Sequence, residues 1–139
     1  MTALSQPKYT DIPAKRYIDL DLTFALNANT HDVSVKTNDA SIKQALKVLI
    51  MTSHYERPFH PELGSGVYGL LFEQVTPLSA ILIEKKISEV INNFEPRIEV
   101  EAIQVNARPD ANSFDVTIVY YLVNVLEPVT LSFVLQRVR

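Results

Sequence analysis

A chain of 139 residues is one ordinary domain, long enough to bury a single core and too short to hold a second comfortably. Apolar types at 47% and charged types at 21% mark a globular protein, and the absence of cysteine removes disulfides, Cys-ligated zinc and thiol nucleophiles. The 13 Lys and Arg against 16 Asp and Glu leave a net charge of −3 and no positive field for a phosphate backbone, and no apolar run reaches the roughly 18 residues of a membrane span, so neither nucleic acid nor membrane is an expected partner.

Residues 1–16 carry Pro7 and Pro13 with little periodicity and no leader pattern, so they read as an extended arm ahead of a single domain at 17–139. Ile18, Leu20, Leu22 and Phe24 then alternate with Asp19, Asp21 and Thr23, which predicts a half-buried strand with the apolar side inward. Turn formers Asn27, Asn29, Thr30 and Asp32 lead to a second short strand around Val33 and Val35, completing a hairpin. Thr37, Asn38 and Asp39 offer N-caps for a helix whose stripe is Ile42, Ala45, Leu46, Leu49 and Ile50, with Lys43, Gln44 and Lys47 on the wet face. Residues 54–66 hold two prolines and two of the chain's three glycines and form the longest loop; within it Arg57, Pro58 and Phe59 suit a presented, partner-binding surface.

Residues 67–72 predict one or two helical turns. Thr76-Pro77 is a strong helix start, a capping hydroxyl followed by proline where its missing N–H costs nothing, and the second main helix should run over 77–93. Its stripe is Ala80, Ile83, Ile87, Val90, Ile91 and Phe94; Leu78, Ile81 and Leu82 fall outside it and are expected under the 67–72 segment, the alternative being a face for another protein. Pro96 stops the helix, and strand-like runs follow at 98–105, 114–124 and 129–136, joined by turn-like links short enough for an antiparallel meander. The fold class is α+β, with two main helices packed on an antiparallel sheet.

No catalytic constellation stands out. Glu56, Glu62, Glu73 and Glu95 are scattered rather than paired as glycosidase carboxylates; His54, His60 and Glu62 match no metal motif; Gly64-Ser65-Gly66 lacks the Lys and Ser/Thr of a phosphate loop. No cofactor or metal is expected, and the chain reads as a binding or structural protein. The segment that stands apart is Asn93-Phe94-Glu95-Pro96-Arg97-Ile98, where Pro96 fixes the backbone between an acid and a base. Two readings are equal on physics alone: Glu95 and Arg97 displayed to a partner, or an internal pair at the helix end.

Three segments together carry a family resemblance. Arg57-Pro58-Phe59-His60-Pro61-Glu62-Leu63-Gly64, Leu71-Phe72-Glu73-Gln74-Val75-Thr76-Pro77-Leu78 and Asn93-Phe94-Glu95-Pro96-Arg97-Ile98 resemble, in order and separation, motifs of the baseplate wedge proteins of contractile-tailed bacteriophages, a family that includes so-called baseplate lysozymes and a type VI secretion baseplate component. The resemblance covers about residues 17–125; Leu63 stands where an aromatic is common. It implies a structural component and not an enzyme, sited in the tail baseplate, with Glu95, Pro96 and Arg97 meeting the core bundle of the larger wedge subunits. It also implies a domain similar to that of the sheath subunit, its sheet taking sheath strands so that sheath assembly starts at the baseplate. The edge assigned to that role is 129–136, with Phe133 and Leu135 as contacts. Arg97→Ala is expected to spare folding and weaken wedge assembly. The alternatives are a peptidoglycan-degrading enzyme and the secretion-system relative.

Overall fold

The computed structural model describes residues 17–123, 125 and 127–138; the proposed arm at 1–16 lies outside the described residues, as does Arg139. In chain order the elements are β1 (Ile18–Leu20), β2 (Val35–Thr37), α1 (Asn38–Met51), α2 (Val67–Leu70), α3 (Pro77–Phe94), β3 (Ile98–Arg108), a short 3-10 turn (Pro109–Ala111), β4 (Ser113–Leu122) and β5 (Pro128–Gln136). The helices form where the apolar spacing places them. The start of α3 is the best defined: Thr76 Oγ1 accepts the Ser79 N–H at 3.1 Å, the Ser79 hydroxyl accepts the Thr76 N–H at 2.9 Å, and Pro77 occupies the first helical position.

The strands β3, β4 and β5 form an antiparallel meander in that order. Ile42, Leu46 and Ile50 of α1, Ile83, Ile87 and Ile91 of α3, and Phe114, Val116, Ile118 and Tyr120 of β4 make the core between helices and sheet. Tyr120 carries a hydroxyl into it: the phenol O–H donates to Asp39 Oδ1 at 3.2 Å, and burial, aided by the Asp39 charge, pushes the phenol above its ordinary range. The β3–β4 register slips between Val100 and Ala102, a bulge at Glu101, whereas β4–β5 pairs without interruption from Ser113↔Gln136 to Tyr121↔Pro128.

Two expectations are corrected. The first hairpin forms, with Ile18↔Thr37 and Leu20↔Val35 paired, but β1 stops at Leu20 because the Asp21 carboxylate captures the Thr23 N–H at 2.9 Å and turns the chain. Its faces are also the reverse of the reading: Asp19 and Asp21 point inward to Arg97 and Lys36, while Ile18, Leu20, Leu22, Phe24 and Leu26 are exposed. Likewise the α2 segment leaves Leu78, Ile81 and Leu82 exposed, because its own buried residue, Val67, enters the core beside Leu71 instead.

Candidate functional site

The Glu-Pro-Arg segment closes α3 and opens β3. Glu95 is the C-cap of α3, its N–H bonded to Ile91 O at 2.9 Å, and its side chain turns inward to only 6% exposure. A carboxylate so buried is costly unless its charge is matched. Arg97 matches it in a two-pronged pair, Nε to Oε1 at 2.6 Å and Nη2 to Oε2 at 2.7 Å. The third arm of the guanidinium, Nη1, reaches Asp19 Oδ2 of β1 at 3.2 Å, the Tyr17 ring lies 5.6 Å from the guanidinium carbon, and the Ser41 hydroxyl of α1 donates to the same Asp19 oxygen. These acceptors hold Arg97 above even its usual range, Glu95 first among them; Asp19 is held below the usual carboxylate range by the Ser41 hydroxyl first and Arg97 next.

The internal pair is therefore the arrangement the fold adopts: neither Glu95 nor the charged face of Arg97 is displayed. What the motif offers to the outside is the exposed Pro96 ring and the edge of a guanidinium whose side chain is 24% exposed. Beside it runs a groove of about 340 Å³ lined by Leu20, Leu22, Ala45, Val48, Leu63 and Phe94, with Arg57, Asp19 and Glu95 at its border. The groove brings Arg57 of the long loop to the same face as the motif, a convergence of residues nearly forty apart that spacing alone does not announce. Pro58 and Phe59 stand farther out on the loop surface, both exposed.

The sheet residues divide differently. Leu135 is 2% exposed and belongs to the core, and Phe133 packs half-buried on the same face, so as side chains both serve the interior. What β5 turns away from β4 is its backbone. The Arg137 N–H bonds to Asn112 O at 2.9 Å, and with the β4–β5 register this makes the odd residues of β5 the ones that bond to β4. The N–H and C=O groups of Thr130, Ser132, Val134 and Gln136 point the other way, to the open edge. Past the strand, the Val138 N–H bonds to Leu71 O at 3.0 Å and closes that edge.

The other sequence candidates stay apart from this face. Glu56 accepts the Ser53 N–H at 2.8 Å, and His60 Nδ1 lies 3.3 Å from Glu62 Oε1, where the Glu62 carboxyl is held low by its own backbone N–H and then by His60. Among the described residues no group of three His, Asp or Glu side chains is placed to hold a metal ion. A wider trough of about 760 Å³ between α3 and β3 has a mixed lining, with Ile81 and Ile103 beside Glu84, Lys85, Glu89 and Glu101.

Arg97→Ala strands the Glu95 charge in the core, so it should cost about 3 kcal/mol of stability rather than spare folding. A urea midpoint within error of wild type would show that the pair is dispensable. Asp19 supplies a pH signature. Its folded-state value lies below its unfolded one, so its contribution is complete at neutral pH and is lost as pH falls below the ordinary aspartate range, about 4. Urea midpoints of wild type and Asp19→Asn should therefore draw together as pH falls through about 4; a gap that stays constant down to the acid-unfolding limit would remove Asp19 as the titrating group.

The comparisons with known proteins agree on this fold. Residues 36–125 match the family model GPW_gp25, described as baseplate wedge protein gp25. Baseplate wedge protein gp25 of Enterobacteria phage T4 is 40% identical over 91 residues, which is 66% of this chain and 68% of that protein. Among solved structures, a putative tail lysozyme from Geobacter sulfurreducens superposes with a TM-score of 0.64 at 22% identity, covering 70% of this chain and 89% of that one. A chain of the anti-feeding prophage baseplate reaches a TM-score of 0.60 at 19% identity, covering 89% and 88%, and one of the postcontraction pyocin R2 baseplate reaches 0.58 at 20%, covering 76% and 98%. With its central 90 residues matched and its helices and meander shared, the chain belongs to the baseplate wedge protein family, components of contractile tails.

Proposed function

We propose that this wedge protein is a non-enzymatic adaptor: its Pro96 corner and adjoining groove seat on the core bundle of the larger wedge subunits, and the open edge of β5 receives a strand of the sheath subunit, so that sheath assembly begins there. Its place is the virion tail baseplate, reached by assembly in the host cytoplasm. The observation that carries the reading is the inverted hairpin. Ile18, Leu20 and Leu22 form an apolar row exposed to water beside a groove that is itself mostly apolar, and an isolated domain gains nothing from such a face. A helix of a bundle, laid in the groove against Leu20 and Leu22, would cover it.

The strand-addition half of the reading rests on the even residues of β5, four successive outward backbone positions on a strand with no bulge. The alternative of a peptidoglycan-degrading enzyme finds no favouring geometry: both oxygens of the buried Glu95 carboxylate are engaged by Arg97.

Co-expression with wedge and sheath subunits separates the two contacts. Leu22→Asp should leave thermal stability unchanged, because Leu22 is exposed, and lower recovery with wedge subunits at least tenfold, about 1.4 kcal/mol. Val134→Pro deletes an outward N–H and sets a ring against any incoming strand while keeping the β4–β5 ladder, as edge prolines do. It should keep wedge recovery and abolish sheath attachment. Phe133 is the wrong site for such a proline, since its N–H bonds to β4. Normal sheath growth on Val134→Pro baseplates would remove β5 as the docking edge, and normal wedge recovery for Leu22→Asp would remove the groove.

A further inference from the structure

The loop between α1 and α2 breaks a local rule twice. Ser53-His54-Tyr55-Glu56 closes as a turn, with the Glu56 N–H bonded to Ser53 O at 3.3 Å, and Arg57-Pro58-Phe59-His60 closes as a second, with the His60 N–H bonded to Arg57 O at 3.3 Å. Their third residues are left-handed: Tyr55 has φ +66° and Phe59 has φ +68°. With Pro58 ahead of it, Phe59 sits at the position of a type II turn that calls for glycine or asparagine. A bulky L residue there is a steric outlier, and strain of this kind persists only where the surroundings over-determine it.

The surroundings do. The Tyr55 N–H bonds to Pro61 O at 3.0 Å, the Ser53 N–H to Glu56 Oε2 at 2.8 Å, and Gly64 packs so tightly on Ser53 that a Cβ would stand 2.7 Å from its carbonyl carbon. The chain thus spends glycine where backbone meets backbone, and aromatics where glycine would be more stable. Neither aromatic gains anything from the fold: Tyr55 is 85% exposed and Phe59 96%. Burial in the monomer does not explain them.

We propose that Tyr55 and Phe59 are a pair of rigid aromatic knobs that insert into an apolar pocket on another baseplate protein, a pocket rimmed by carboxylate that receives Arg57 between them. The knobs are pre-ordered, so docking orders little, which is the economy of a rigid aromatic anchor. The acidic rim follows from charge. Glu56 is occupied by the Ser53 N–H and Glu62 sits against His60, whereas no ion pair joins Arg57 among the described residues. A lipid surface fits less well, because one arginine on a protein of net charge −3 is not the basic cluster that anionic headgroups attract. This inference rests on the reading that the chain is held by other baseplate proteins, but not on the groove beside Pro96 being the place.

The test compares stability with incorporation. Phe59→Gly should melt about 2–5 °C above Phe59→Ala, the reverse of their order in ordinary backbone, because only the first relieves the left-handed strain. Baseplates are then assembled in extracts lacking the chain, with purified variants added, and incorporation is read by quantitative mass spectrometry. Tyr55→Gly/Phe59→Gly and Arg57→Glu should each fall at least tenfold, with Arg57→Lys falling less. Incorporation of the double variant within twofold of wild type overturns the knobs; normal incorporation of Arg57→Glu overturns the acidic rim; a Phe59→Ala melting point at or above that of Phe59→Gly overturns the strain. Loss of binding to phosphatidylglycerol vesicles by the double variant, with incorporation intact, assigns the knobs to lipid and overturns the protein pocket. Leu22→Asp in the same extracts keeps the two readings apart: failure of that variant alone sinks the knobs and spares the groove, and failure of the knob variant alone does the opposite.

Discussion

The Arg97 guanidinium is the joint on which this domain turns. Three of its N–H groups are taken by two carboxylates, one two residues before it and one 78 residues before it, so a single side chain fixes the angle between α3 and β3 and pins the first hairpin to both. The Ser41 hydroxyl extends the network to α1 through Asp19. Burying a charge such as that of Glu95 costs several kcal/mol when it is unmatched. Here the match is built from adjacent sequence, with Pro96 between acid and base holding the backbone in the bend that lets the two side chains fork together. A lysine could neutralise the charge but could not serve both carboxylates with a planar fork.

That network dictates which way the hairpin faces. With Asp19 committed to Arg97 and Asp21 to Lys36 at 3.2 Å, the alternation of β1 sends its apolar residues to solvent. Inward charge and outward leucine invert the usual economy of a soluble domain. An exposed apolar row of this kind is a feature that marks interaction surfaces more often than isolated domains.

Much of this architecture is legible in the residues. Thr76-Pro77 marks the start of α3 because capping chemistry is local, and the period-two runs of β4 and β5 place those strands to within a residue or two. The face of β1 is not legible: alternation separates two sides but does not say which is inward, and the answer lies in a partner 78 residues away. The choice between a displayed and an internal Glu95–Arg97 pair is undecidable from sequence for the same reason, since burial is a property of the packed helix end. Naming Phe133 and Leu135 as contacts picked side chains that β5 turns toward the core, because which backbone groups face outward depends on the parity set by Arg137 and Asn112 and not on side-chain type. Tyr55 and Phe59 hide differently, because an aromatic residue argues against a left-handed position and only the dihedral angles reveal that they occupy one.

The two margins of the sheet are unequal, and the inequality bears on copy-to-copy contact. The bulge at Glu101 interrupts β3, while β5 runs straight for nine residues until Val138 is stapled to Leu71. A ribbon of identical chains needs two good margins, one to give and one to take. With one margin kinked and the other regular, the β3 edge of one copy and the β5 edge of another do not match along their length, which works against edge-to-edge growth into fibres.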